Sequence, residues 1–402
     1  MVFNFSHYKW LLIGSAFILA LSLGVRHGFG LFLAPMSLSF GWGREIFAFA
    51  IAFQNLIWGI AQPFSGALAD RYGAGKVIAG GGFLYACGLV LMSTATSSSM
   101  LLMSAGVLVG IGLSGTTFSV ILGVIGRALP IQSRSMGMGL ASAAGSLGQF
   151  VMLPGTLELI QQFGWQSALI ILAGLVALIL PLVGMLKDRP LVRTADTQTA
   201  GQALQECVAH RGFILLSAGF FVCGFQVVFI GIHLPSYIID QHLDVGTGTA
   251  ALALIGLFNI FGTYTAGIFG ARYSKPRLLT MLYALRAIVI ACFIAVPVTK
   301  LSVYCFSIAI GFLWLSTVPL TNGTIASVFG VRNLSMLGGI VYFFHQVGAF
   351  FGGWLGGLVY DRTGSYDLVW YISIVLSVIA TVLHWPITES PVERRPRAGE
   401  VC

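Results

Sequence analysis

Residues 66–76 read Gly-Ala-Leu-Ala-Asp-Arg-Tyr-Gly-Ala-Gly-Lys, a short charged turn between two long apolar stretches. About two hundred positions later, residues 267–277 read Gly-Ile-Phe-Gly-Ala-Arg-Tyr-Ser-Lys-Pro-Arg. The second copy keeps the leading glycine (Gly66, Gly267), the Arg-Tyr pair (Arg71-Tyr72, Arg272-Tyr273) and the closing base (Lys76, Arg277). A repeat of that period in an apolar chain divides it into two related helical halves.

Composition agrees independently. The 402 residues are 57% hydrophobic and 8% charged, with 51 glycines, too apolar for a water-soluble domain of this size. Apolar runs recur near the roughly 20 residues a helix needs to cross a bilayer. They predict helices over 10–33, 46–65, 77–95, 100–125, 136–158 and 166–186, then 213–238, 248–270, 278–297, 301–325, 334–357 and 367–387. The expected class is an all-α membrane protein: a first six-helix bundle at 1–186, a linker at 187–211, a second bundle at 212–389 and a tail at 390–402. The linker is the most polar internal stretch and reads as a hinge on the cytoplasmic side; its pattern does not decide whether part of it is helical. From Ser390 the tail carries Pro391, Pro396 and alternating charges, and reads as disordered.

Charge sets the orientation. With both termini in the cytoplasm, 16 of the 21 Lys and Arg residues face that side. Arg44, Lys300 and Arg362 lie outside, and Arg26 and Arg286 lie within helices. The expected location is the cell inner (cytoplasmic) membrane, multi-pass, with both termini cytoplasmic. The net charge of +8 is thus a topology signal and calls for no nucleic-acid partner. The first helix is too long for a cleaved signal's apolar core and reads as retained. Cys87, Cys223, Cys292 and Cys305 fall in helices and read as buried small hydrophobes. No cysteine spacing points to a disulfide framework, a metal site or a cofactor.

The first charged turn matches G-x-x-x-D-R-x-G-x-x-[R/K] and resembles the loop between helices 2 and 3 of the major facilitator superfamily. That resemblance implies twelve transmembrane helices in two pseudo-symmetric six-helix bundles and secondary transport. It also implies a conformational latch at Gly66, Asp70, Arg71, Gly73 and Lys76. There the Asp70 carboxylate accepts bonds from a helix N-terminus of the facing half and holds the outward-facing state. Ala271 stands at the acid's place in the second copy, so the latch is expected on one side only.

A narrower likeness runs through Arg134, Gly139-Leu140-Ala141, Gly145-Ser146-Leu147-Gly148, Pro154 and Phe163-Gly164-Trp165. It is similar to the helix 5 region of monocarboxylate porters. The stretch from His345-Gln346 through Asp361-Arg362-Thr363-Gly364-Ser365-Tyr366 fits bacterial members of the same group. The chain departs from the animal members, which carry an Asp and an Arg four residues apart in helix 8; here Asn259 and Thr263 stand at those places. Their proton-coupling scheme therefore does not transfer. Pro154 also comes six residues after Gly148, which breaks the G-x-x-x-G-P pattern of drug-proton antiporters.

Two arginines lie inside helices, Arg26 and Arg286. A cation near the bilayer centre costs about 2.5–3.5 kcal/mol on insertion scales, so each needs a wet cavity or a partner. Glu45 and Glu158 fall near outer boundaries and Asp70 in the cytoplasmic turn, which leaves no acid deep in a helix. A substrate carboxylate would complete the pair. By the family resemblance helix 1 lines the cavity and helix 9 is an outer support. Arg26 is therefore the stronger candidate, with snorkelling as its alternative, while Arg286 equally fits helix bracing.

His27 and His345 are the best intramembrane titrating groups, and His233 lies near an outer end. Each also fits a neutral interhelical hydrogen bond. Gln54, Asn55, Thr117, Gln149, Gln226, Asn259, Trp314, Asn322, Tyr342 and Gln346 complete the candidate substrate-binding set, with interhelical bonding as the plainer reading of any one. Small-residue stripes at Gly106/Gly110/Ser114, Gly137/Ala141/Gly145 and Gly348/Gly352/Gly356 fit either a sliding surface or static packing.

The leading expectation is a monomeric, proton-coupled transporter of a small organic anion, a monocarboxylate first, surrounded by membrane lipid. An oxalate/formate-type exchanger is second. A drug exporter is weakened by the missing intramembrane acids, and a transporter-like receptor by the short tail. No H-E-x-x-H, G-x-S-x-G elbow or phosphate-cradling loop points to an enzyme.

Overall fold

The computed structural model of the chain describes residues 8–41, 44–186 and 198–392. Ten stretches among them are long and apolar enough to cross a bilayer. One of these, the 55-residue Ile131–Met185, turns at Gly164, whose φ of +79° suits glycine alone, and so supplies two spans. The 29-residue helix Arg44–Tyr72 is the twelfth, less apolar because it carries the buried Gln54, Asn55 and Gln62. In chain order these are α1 (Lys9–Phe32), α2 (Arg44–Tyr72), α3 (Ala74–Ser93), α4 (Ser98–Ala128), α5 (131–163) and α6 (165–185). The second half repeats the set as α7 (Arg211–Asp240), α8 (Val245–Gly270), α9 (Lys275–Ala295), α10 (Lys300–Phe329), α11 (Leu334–Thr363) and α12 (Asp367–His384). No strand occurs among the described residues.

Local chemistry starts and stops these helices. Ser97 caps α4 by accepting the Met100 N–H at 3.2 Å, and Thr299 forms a capping box with Ser302 at α10. Asp244 caps α8 through the Thr247 N–H at 2.9 Å. Lys300, 2.6 Å away, and then Thr247 hold that exposed carboxyl down at about 2. Gly73, at φ +92°, lets the chain reverse between α2 and α3. Because α2 runs to Tyr72, Asp70 lies in its last turn, not in a loop as expected.

Trp10, Phe17, Phe64, Tyr371, Val382 and Trp385 lie among large apolar side chains exposed on the outer surface. Such a belt needs lipid to cover it. Cys292 and Cys305 share that exposed surface and Cys87 is half-buried, so of the four helical cysteines only Cys223 is buried as expected.

The two charged turns lie at one end of the bundle, the motif end, and contacts between the halves run from there to the middle of the helices. A Cβ on Gly59 of α2 would lie 2.8 Å from the Gln346 Cβ of α11, and one on Gly339 of α11 would lie 2.6 Å from the Gln62 carbonyl. Gly139 of α5 and Gly267 of α8 meet equally closely, each within 2.8 Å of the other's Cα by the same measure. Two of these helices carry the same pair near their starts: Ser135-Met136 in the second turn of α5 and Ser335-Met336 in the first turn of α11. By contrast, the three glycine stripes pack inside their own halves. Gly348 and Gly352 sit against the Phe221 and Phe225 backbone of α7, Gly110 against Gln54 of α2, and Gly145 against Leu23 of α1. In this state they are packing surfaces.

Residues 187–197 of the linker lie outside the described residues. Ala200–Ala209 forms a helix, started by a Thr199–Gln202 capping box, which the sequence pattern left open. Gln198 reaches Asn333 at the start of α11 at 3.5 Å. The tail's first residues are docked: Val392 N–H donates to the Val328 carbonyl at 2.9 Å, and Glu389 pairs with Lys275 at 2.8 Å. Residues 393–402 lie outside the described residues.

Candidate functional site

Arg26 lies in the last helical turns of α1, half-buried. Its Nη2 donates to the Asn55 Oδ1 of α2 at 2.9 Å, and its Cζ stands 5.9 Å from the Phe29 ring. The buried Nε has no hydrogen-bond partner, and no carboxylate of the described residues pairs with this guanidinium. It is a cation with spare donors and a neutral neighbour. Next to it, the Nδ1 of His27 meets the Leu23 carbonyl of its own helix at 2.7 Å.

Around Arg26 the first half spends its polar groups on irregular backbone in α4. That helix contains a π-helical stretch, Leu102–Leu108, and breaks at Thr117, which is extended at φ −116°, ψ −161°. Gln54 donates to the Ala105 carbonyl within the π stretch at 2.5 Å. Trp58 Nε1 donates to Thr117 Oγ1 at 3.1 Å, and Thr117 donates in turn to the Leu113 carbonyl at 2.6 Å. Gln149 is half-buried on α5, with no hydrogen bond to this group among the described residues.

The second half is arranged around a matching break in α10 at residues 314–316. There Arg286 is 1% exposed and bonded through each of its three nitrogens. Its Nη2 donates to the Leu313 carbonyl at 2.7 Å and also to the Trp314 carbonyl, and its Nη1 donates to Gln226 Oε1 at 3.3 Å. Of the two roles the sequence left open for Arg286, this geometry is the helix-bracing one, with no carboxylate of the described residues beside it. Its partners are backbone carbonyls released where α10 loses its helical ladder. Gln226 is likewise occupied, donating to the Ser373 carbonyl at 3.0 Å and to Ser377 Oγ at 2.5 Å. Every nitrogen of both side chains is already bonded within the protein in this state.

Asn259 serves the same break from the facing side. Its Oδ1 accepts the Leu315 N–H at 3.0 Å, and its Nδ2 donates to Ser146 Oγ of the other half at 2.8 Å. The register that aligns Gly66 with Gly267 aligns Trp58 with Asn259, so corresponding positions hold both breaks. Trp314 is buried, with its carbonyl accepting Arg286. Asn322 Nδ2 donates to the Val318 carbonyl at 3.1 Å and to the Tyr342 hydroxyl at 3.4 Å, leaving its buried Oδ1 without a partner. The Tyr342 ring stacks on Phe118 of the first half at 5.9 Å and lies 6.2 Å from the His345 ring. His345 is half-buried against Phe220, its Nδ1 without a partner. Gln346 backs onto Gly59 across the halves.

At the motif end Asp70 is almost fully enclosed. Its Oδ2 accepts the Met336 N–H at 2.9 Å, and its Oδ1 accepts the Ser335 N–H at 3.3 Å and an Arg127 Nη1–H. Arg127 also donates to Ser335 Oγ at 3.1 Å. Gly66 lies so close to Ser335 that a Cβ there would sit 2.6 Å from the Met336 nitrogen. Arg71, Tyr72 and Lys76 are exposed, with Arg71 over the Tyr72 ring at 5.0 Å. In the second copy Lys275 bonds Glu389 and Ser327, both within its own half.

Sequence reasoning missed Arg127, Ser335 and Trp58 as parts of these constellations. The repeated Ser-Met pair at 135 and 335 was a legible signal for Ser335. Arg127, one of sixteen bases assigned to the same side, carried none.

A family model described as Major Facilitator Superfamily matches residues 12–335. An uncharacterized MFS-type transporter, YcxA of Bacillus subtilis, is 25% identical over 398 residues, covering 93% of this chain and 94% of the relative. Monocarboxylate transporter 13 of Rattus norvegicus is 28% identical over 373 residues, covering 89% and 84%. Among solved structures, an MFS transporter, FucP, in the outward conformation superposes with a TM-score of 0.74 at 16% identity, covering 94% and 97%. A variant of the E. coli fucose:proton symporter FucP gives 0.71 at 17% identity, covering 94% and 98%. At such identities these two establish the fold alone.

Proposed function

The chain belongs to the Major Facilitator Superfamily, a family of transporters and not of enzymes, and on that premise we propose that it carries a small organic anion, a monocarboxylate, together with protons. Transport proceeds by alternating access across the cytoplasmic membrane, with the motif end and both termini inside and the protein acting as a monomer in lipid. The observation that carries this reading is Arg26. It is an intramembrane guanidinium held by a neutral amide, with an unpartnered Nε and no carboxylate of the described residues beside it. A substrate carboxylate matches the planar fork of donors. The relatives named as monocarboxylate transporters support the same substrate class.

Asp70, with Arg127 and the first turn of α11, is read as the latch that keeps the cytoplasmic end shut while the opposite end admits substrate. Lys275 and Glu389 do not replace it, because their pair stays within one half. His345, half-buried with an unpartnered nitrogen, is the proton carrier in this reading. His27, bonded to its own helix, is secondary.

Thermal stabilisation of purified protein by a panel of small carboxylates and their neutral amides tests the anion. Stabilisation by acids alone supports it, and equal response to the amides rejects it. The lack of an intramembrane carboxylate among the described residues favours one second reading, organic-anion exchange of oxalate/formate type. Uptake into proteoliposomes driven by a pH gradient alone decides for proton coupling, and a strict need for internal substrate decides for exchange.

A further inference from the structure

We propose that Cys223 and His345 act as one proton-carrying dyad with Arg286 as its fixed counter-charge, an assignment that rests on the proton-coupled reading above. Cys223 of α7 is fully buried. Its Sγ lies 3.3 Å from the Thr317 Oγ1, at the start of the helix that resumes after the α10 break. His345 of α11 packs on the same turn of α7: its ring lies 4.9 Å from Phe220, and a Cβ on Gly224 would lie 1.8 Å from its carbonyl. Arg286 is anchored one turn along α7 by Gln226 and cannot swing away. Tyr283 and Tyr342 complete the titratable groups that face the thiol. The Tyr283 ring lies beneath the guanidinium at 5.3 Å, and its buried hydroxyl has no partner.

The second half thus buries a cation among carbonyls and amides, with no carboxylate of the described residues to balance it. Carbonyl dipoles satisfy its donors and leave its charge. The groups around it that can become anionic are one thiol and two phenols. A thiol ionises near about 8.5 and a phenol near about 10 in water, so the thiol is the group that answers a neighbouring cation first. Sequence reasoning took Cys223 for a small buried hydrophobe. Its neighbours give it a different chemistry.

In the unloaded state Cys223 is a thiolate, His345 is neutral, and Arg286 brings the cluster to zero net charge. A proton from water binds the unpartnered Nδ1 of His345. The imidazolium gives up its other N–H proton to the thiolate, and an S–H bond forms as an N–H bond breaks. The cluster has gained one proton and a net charge of +1, and release reverses the step. A cluster that turns cationic on loading favours an anion in the adjoining cavity, and a bound anion favours the proton in return.

The S–H stretching band in the infrared reads this dyad directly. Wild-type minus Cys223→Ala difference spectra on purified protein isolate it from the other five cysteines. Without any substrate, the Cys223 band should be present in acid, vanish as the pH rises, and change its midpoint in His345→Gln and in the milder Thr317→Val. A band unchanged from acid to alkaline pH overturns the proposal. In proteoliposomes Cys223→Ala and the closer Cys223→Ser should lose pH-driven accumulation and keep substrate exchange, and retained accumulation in either overturns it too. A titrating band in a protein that transports no organic anion would leave the dyad standing and reject the functional reading instead.

Discussion

The carboxylate of Asp70 accepts the backbone N–H of Met336 at 2.9 Å, across 266 positions and from one half of the protein to the other. Ser335 and Arg127 supply the remaining donors. The acid therefore closes the first turn of α11, where unsatisfied N–H groups favour a negative charge.

Asp70→Asn should shift the protein toward states open at the motif end and slow turnover, with folding intact. The substitution removes a charge that Arg127 and two backbone donors address, and breaking a buried pair from one side costs about 3–5 kcal/mol. Spin-label distances across each end of the bundle report the populations. Wild-type distances together with wild-type transport would reject the latch.

Gly66→Ala acts on the same closure through sterics. The new methyl meets the Ser335 backbone, which cannot retreat while Asp70 holds it. Overpacking of this kind costs about 1–3 kcal/mol, here charged to the closed motif end alone. Gly267→Ala should do the same at the Gly139 contact. The distance distributions should move in the direction expected for Asp70→Asn, and an opposite shift would count against this packing account.

Arg26→Gln should bind the anion far more weakly while melting close to wild type, because the side chain leaves few groups unsatisfied when removed. Truncating one side of a buried charged pair costs about 2–5 kcal/mol of affinity. Arg26→Lys keeps the charge and loses the fork, and should fall between the two. Equilibrium binding on purified protein is the measurement. Undiminished affinity in a folded Arg26→Gln sample makes Arg26 structural.

Arg286→Gln should behave in the opposite way. It strips the Leu313 and Trp314 carbonyls of their donor, and each buried unsatisfied group costs about 1–3 kcal/mol. A lowered melting temperature is expected, with residual anion binding wherever the protein remains folded. A variant as stable as wild type would show that the α10 break does not depend on this cap.

His345→Gln should abolish accumulation driven by an imposed pH gradient and retain exchange of substrate for substrate. Continued concentration of the acid under the gradient would move the proton to another group or to the substrate itself.

Much of this architecture is legible in the order of residues. Apolar runs, the spacing of basic residues and the pair of charged turns are properties of chain segments, and a bilayer reads segments one at a time. The helix-break chemistry is not local in that way. Thr117 interrupts α4 with neither proline nor glycine at that position, whereas the Trp314–Ser316 break of α10 is followed by Pro319, which has no N–H to give the Leu315 carbonyl. Which side chains answer the carbonyls released at the two breaks stays invisible to a reading by periodicity. Arg127 escaped for a related reason: its acid lies in another helix, and basic residues at that end are common.

Arg26 and Arg286 show where the division falls. The sequence by itself determined that each is a guanidinium within a membrane helix and far from any acid along the chain. It could not distinguish them, since both are the same side chain facing the same cost. Tertiary structure decided that Arg286 meets carbonyls 27 residues away, because α10 breaks beside it. The same packing left Arg26 beside one neutral amide with a donor to spare. A buried cation's role depends on which acceptors the fold leaves unused around it, and those acceptors exist only once helices distant in sequence have packed together.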